Sequence, residues 1–139
     1  MYIKSLAHVC IHSSDLEATL KFYCEGLGMR KQFDFTRQGR VIGFYLQAGN
    51  HTFLEFFEKS EAPAGKPSGN LAHFCLETEA IEALHQHLIQ AGYEPGPVTL
   101  ECDNSYQFWI TDPNGVHFEF HQYTPKSAQL HQENVAVNW

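Results

Sequence analysis

No apolar run in this 139-residue chain approaches the roughly 20 residues that a membrane-spanning helix requires. Positive charge is scarce too: nine lysines and arginines face sixteen aspartates and glutamates, giving a formal charge of −7, and no basic cluster stands out. That balance repels phosphate backbones and argues against nucleic acid as a partner. Only four cysteines occur, Cys10, Cys24, Cys75 and Cys102, with no CxxC pair, which excludes a zinc ribbon and fits a reducing compartment. The opening MYIKSLAHVCIHSSD has too short an apolar stretch for a secretory signal, so a cytoplasmic protein is expected. What is present is a globular composition at a length suited to one domain.

The chain spells one pattern twice. Offset by 65 residues, SLAHVCIHSSDLEA lies over NLAHFCLETEAIEA, placing Leu6, Ala7, His8 and Cys10 on Leu71, Ala72, His73 and Cys75. Each copy runs from a strand-like stretch through a polar break into a helical run. Leu16, Leu20, Tyr23 and Leu27 form an apolar stripe in the first helix, and Ile81, Leu84, Leu88 and Ala91 in the second. Gly26, Gly28 and Gly92 sit where helix ends are expected. Three strands then follow in each half, roughly 30–36, 41–48 and 51–58, then roughly 97–101, 105–111 and 116–123, with the turn DPNG at 112–115. An offset of 64 residues lays FLEFF over HFEFH, matching Glu55 to Glu119.

These features predict an α+β fold of two tandem βαβββ modules in one domain spanning 1–139. Module one covers about 1–58, a Pro/Gly-rich crossing loop about 59–69, module two about 70–123 and a tail about 124–139. Each module alone would be too small for a stable core.

Strand parity puts His8 with Cys10, and His73 with Cys75, on one face. A carboxylate amid large apolar groups, as in FLEFF and HFEFH, is tolerated when paired or coordinated. A lone strand histidine is usually a hydrogen-bonded structural residue, and a lone strand glutamate usually faces solvent. Four such residues in matched register also make a four-ligand divalent site, whose nitrogen and oxygen donors suit zinc, nickel, cobalt, manganese or iron better than calcium.

Together AHVCIHSSDLEATLKFYCEGLGM, TFLEFFE, AHFCLE and DPNGVHFEF resemble the vicinal oxygen chelate superfamily, and within it the glyoxalase I (lactoylglutathione lyase) type, from about residue 5 to about residue 123. The resemblance implies paired βαβββ modules curling into an open, mixed β-sheet around a metal, with His8, Glu55, His73 and Glu119 as ligands. It implies a lyase or isomerase that moves a proton between adjacent carbons through an enediolate, with Glu119 as first base and Glu55 serving the second carbon. It also implies a homodimer in which His8 and Glu55 meet the partner's His73 and the partner's Glu119; a monomer supplying all four ligands is the alternative. Extradiol dioxygenases of the superfamily use three ligands, which His8, His73 and Glu119 would supply. Related epimerases typically carry glutamine where this chain has Glu55, and drug-binding members keep the architecture without a catalytic metal. Glyoxalase I enzymes commonly place an arginine four residues after the first histidine to hold the glutathione carboxylate. His12 stands there instead, leaving Arg30, Lys31, Arg37 or Arg40 as substitutes, or a different vicinal oxygen substrate.

Among the remaining candidates, His85 and His87 are expected to be solvated, and His117 and His121 share parity with Glu119. Cys10 and Cys75 share the ligands' face and are read as small core residues in preference to ligands; Phe44, Phe108 and Trp109 are candidate pocket walls, although strand aromatics are usually core.

Overall fold

The computed structural model describes residues 4–60, 71–132 and 134–137, so most of the expected crossing loop and the end of the tail lie outside the described residues. The first half supplies β1 (His8–Ser13), α1 (Leu16–Leu20), β2 (Arg30–Arg37), β3 (Arg40–Gly49) and β4 (Thr52–Glu58). The second supplies β5 (Cys75–Glu77), α2 (Ile81–Gln90), β6 (Thr99–Leu100), β7 (Tyr106–Thr111) and β8 (His117–Gln122), followed by the short α3 (Ala128–His131). The expected βαβββ order thus appears twice. The strands form two open mixed sheets, ordered β1-β4-β3-β2 and β5-β8-β7-β6. In each, the first strand pairs in parallel with the last and the other pairings are antiparallel. The chain divides into two compact units. Unit one contains β1–β4, α1 and the turn Asp112–Gly115; unit two contains the remaining elements.

In unit one, Asp15 caps α1 by accepting the Ala18 N–H at 2.9 Å. The helix then widens into a π-helical stretch, Lys21–Gly26, closed by Leu27 N–H donating to the Phe22 carbonyl at 3.1 Å. Its buried stripe is consequently Thr19, Phe22, Tyr23 and Gly26, and the expected Leu16, Leu20 and Leu27 are only half-buried. A polar cluster draws the helix in on this side. Asn114 Nδ2 donates to Thr19 Oγ1 and to Asp112 Oδ2, each at 3.0 Å, and Tyr23 Oη donates to Asp112 Oδ2 at 3.0 Å. The turn holding these partners closes at Gly115, whose φ of +78° suits glycine. Phe44 and Leu46 of β3 and Leu54 and Phe56 of β4 complete the apolar core. Burying each such side chain stabilises the fold by about 1.5–3 kcal/mol.

Unit two repeats this logic. Phe108, Ile110, Phe118 and Phe120 are buried, as are Ile81 and Leu88 of α2. Two local expectations need correction. β5 pairs with β8 over only three residues, so His73 precedes the strand by two positions instead of lying within it. His85 is not solvated: its Nε2 lies 2.8 Å from the Gly96 carbonyl and its ring packs edge-on to Phe108.

Candidate functional site

Because β3 and β4 turn Phe44, Leu46, Leu54 and Phe56 into the core, strand alternation puts Tyr45, Phe53, Glu55 and Phe57 on the opposite face. Parallel pairing of β1 with β4 places Cys10 across from Glu55, and Tyr45 flanks Glu55 from β3. His8 Nε2 comes within 3.7 Å of Glu55 Oε2, and the His8 ring sits edge-on to Tyr45. The Cys10 thiol is pushed up to about 11, chiefly by burial and then by its hydrogen bond to Glu55 and that carboxylate's charge. It therefore stands as a neutral donor.

Unit two builds the corresponding half. Cys75 and Trp109 flank Glu119 in register, and Glu119 is only 7% exposed. Its two carboxylate oxygens face different imidazoles, Oε2 lying 3.5 Å from His73 Nε2 and Oε1 3.0 Å from His121 Nε2. His121 Nε2 also lies 2.9 Å from Gln107 Oε1. The hydrogen bond to Glu119 is the main reason that the His121 pKa rises, against the opposing effect of burial. Burial, then the charge of Glu119, pushes the Cys75 thiol up to about 12. Both cysteines are exposed, contrary to their reading as core residues. His117 stacks on Trp109, whose indole also meets the His73 ring at 4.7 Å between centroids.

The structure thus brings His8 to Glu55 and His73 to Glu119, each pair within its own unit. The donors are imidazole nitrogens and carboxylate oxygens, with the acids half-buried or buried and no lysine or arginine bonded to them among the described residues. That donor chemistry fits a divalent ion.

Of the aromatics weighed as core or pocket wall, Phe44 and Phe108 are buried on the core faces, because they share parity with Phe56 and Phe120. The rings beside Glu55 are others. Tyr45 stacks between Phe33 and Phe53 at 5.0 Å on either side, and Phe35 meets Phe57 at 4.6 Å. Gly43, between the last two in register, leaves the gap they close: a Cβ there would fall 2.2 Å from the Phe56 carbonyl oxygen and 2.9 Å from Phe57 Cδ1. Counting by twos from Glu55 would have found Phe53 and Phe57. Tyr45 needed the β3–β4 register.

Of the basic residues offered in place of the missing arginine, Lys31 pairs with Asp34 and Arg40 with Glu58. Arg30 donates to Gln47 Oε1 at 2.7 Å. His12 is exposed.

Among the described residues no helix is long and apolar enough to cross a membrane. Solved structures share the architecture. A glyoxalase family protein from Enterococcus faecalis superposes with a TM-score of 0.73 at 29% identity, over 87% of this chain and 99% of that one. TnmS3, an antibiotic binding protein from Streptomyces sp. CB03234, gives 0.72 at 21% identity over 89% and 99%. A lactoylglutathione lyase from Agrobacterium tumefaciens gives 0.68 at 15% over 88% and 96%. These last two likenesses are of fold alone, and they show that the architecture serves both enzymes and binders. Residues 5–120 match the family pattern that spans both kinds, and the chain belongs to the Glyoxalase/Bleomycin resistance protein/Dioxygenase superfamily.

Proposed function

We propose that this chain is a divalent-metal-dependent lyase or isomerase of the glyoxalase I kind, moving a proton between adjacent carbons of a substrate with vicinal oxygens. The observation that carries the reading is the doubled imidazole–carboxylate pair, His8 with Glu55 and His73 with Glu119, at matching registers of two sheets. These four residues would hold the ion, whether zinc, nickel, cobalt, manganese or iron. Such an ion, when bound, supplies Lewis-acid stabilisation of the charge that develops on the substrate oxygens. Glu119 takes the carbon-bound proton, and its orientation is held by the hydrogen bond between its Oε1 and His121 Nε2. Glu55 serves the neighbouring carbon. On this reading two copies of the chain complete each other's sites, His8 and Glu55 meeting the partner's His73 and the partner's Glu119.

Metal content of protein purified without chelator is the first test, beside Glu55→Gln and His73→Ala. One divalent ion per chain, weakened by both changes, is expected; no metal even after adding nickel, zinc or manganese would sink the reading. Hemithioacetals and acyl-thioesters are then the substrates to screen. Glu119→Gln should lower turnover by about 10²–10⁴-fold with the circular dichroism spectrum unchanged.

The ring array Phe33, Phe35, Tyr45, Phe53 and Phe57 favours a second reading, a non-catalytic binder of planar small molecules. Tight binding of an aromatic dye that needs no metal, is lost in Tyr45→Ala and brings no turnover would replace the first reading with this one. Oxygen uptake with catechols and iron would instead identify a three-ligand dioxygenase.

A further inference from the structure

Glu119 has more donors around it than the four-residue set uses. Cys75 Sγ, a Glu119 carboxylate oxygen and His121 Nε2 all lie within 4.8 Å of one another. The fold imposes this grouping: β5 and β8 pair in parallel with Cys75 opposite Glu119, and His121 follows Glu119 by two residues on the same face. Unit one has the cysteine and the glutamate at the same register, Cys10 and Glu55, but Phe57 where unit two has His121.

We propose that Cys75, Glu119 and His121 form a second divalent-metal site, lying wholly within unit two and selective for thiophilic ions such as zinc or cobalt. Zinc bonds of about 2.0–2.3 Å set neighbouring ligand atoms roughly 3–4 Å apart, so small side-chain rotations suffice to close this group on an ion. Thiolate with imidazole selects zinc and cobalt over magnesium, calcium or manganese. His121 Nε2 now bonds Glu119 Oε1 and the Cys75 thiol lies beside the same carboxylate, and the ion takes the place of the hydrogens between them. Cys75 releases its proton to solvent and gives a sulfur lone pair to the ion. A neutral His121 moves its ring proton to Nδ1 and offers Nε2. One proton therefore leaves per ion bound, or two where His121 starts protonated. Cys75 is exposed, which gives the ion a path from solvent. Neither His8 nor Glu55 takes part; Glu119 is common to both ligand sets, while Cys75 and His121 belong to this site alone.

The test is a titration of the metal-free full chain with cobalt(II) under anaerobic, reducing conditions. The readouts are the thiolate-to-cobalt charge-transfer absorption and the protons released into weak buffer. The absorption should appear and saturate in the unaltered chain and in His8→Ala and Glu55→Gln, and vanish in Cys75→Ser. His121→Phe, which installs the residue of unit one, should weaken binding by more than about tenfold, a loss that even an outer partner of a metal ligand commonly produces. No charge-transfer band at saturating cobalt, a band that survives Cys75→Ser, or an affinity unmoved by His121→Phe would each overturn the proposal. Far-ultraviolet circular dichroism checks each variant, and His121→Phe decides the matter if Cys75→Ser does not fold. Binding lost in His8→Ala but kept in Cys75→Ser would leave the four-ligand reading standing alone.

Discussion

At one register of the two sheets, the same carboxylate has different company. Glu55 lies between Cys10 and Tyr45, with Gly43 and Phe57 paired one step along; Glu119 lies between Cys75 and Trp109, with Gln107 and His121 there. Phe53 in unit one answers to His117 in unit two. The helices diverge as well: Tyr23 and Leu88, an offset of 65 residues apart, are both fully buried, yet only the tyrosine brings a hydroxyl that needs a partner. The imidazole–carboxylate pair has been kept in both copies while the surroundings became aromatic in one and polar in the other.

The largest way to break this comparison is Gly43→Ala. A methyl at 2.2 Å from the Phe56 carbonyl oxygen forces the backbone of β3 or β4 to move, and we expect a loss of about 3 kcal/mol or more in urea unfolding. Gln107→Ala, at the matching place, removes only the acceptor near His121 and should cost about 1 kcal/mol. Equal losses would show that Gly43 has no special part in closing the aromatic face.

Phe57→His sharpens the contrast from the other side. It gives unit one the imidazole that unit two has beside its cysteine and glutamate, so the number of thiolate-bound cobalt ions per chain should rise from one to two. An unchanged stoichiometry would mean that the side-chain set alone does not make the site.

Smallest is a difference in alkaline sensitivity between Tyr23 and Leu88. Burial, then the charge and hydrogen bond of Asp112, raise the Tyr23 pKa well above 10.0. The folded chain keeps the phenol protonated while the unfolded chain releases that proton near 10.0, so its contribution is complete below that pH and fades as pH rises beyond it. Tyr23→Phe should lower the melting temperature slightly at neutral pH, through a lost hydrogen bond of about 1 kcal/mol. It should also flatten the fall of melting temperature above pH 10.0. A slope as steep as before would assign that fall to the other groups whose pKa is raised, Cys10, Cys75, Cys24, Tyr45 and Tyr123.

Much of the fold was legible because duplication makes weak local signals check one another. FLEFF alone does not say which face Glu55 takes, but its alignment with HFEFH and the closely matched intervals back to His8 and His73, 47 and 46 residues, do. What escaped depended on register between strands, which single-strand patterns do not carry. Tyr45 is beside Glu55 only because β3 pairs with β4 as it does. His121 shared parity with Glu119 in the sequence, but its bond to Glu119 Oε1 and the nearness of Cys75 come from side-chain placement. The π-helical stretch was invisible because its apolar spacing also satisfies an ordinary helix.

Asn114 reaches Thr19 across 95 residues of chain. During synthesis, then, Tyr23 and Thr19 must wait for the ribosome to deliver Asp112 and Asn114, which follow them by 89 and 95 residues. The half that emerges first is among the last to be finished, and any product halted before residue 112 would carry a helix whose buried hydroxyls lack these partners.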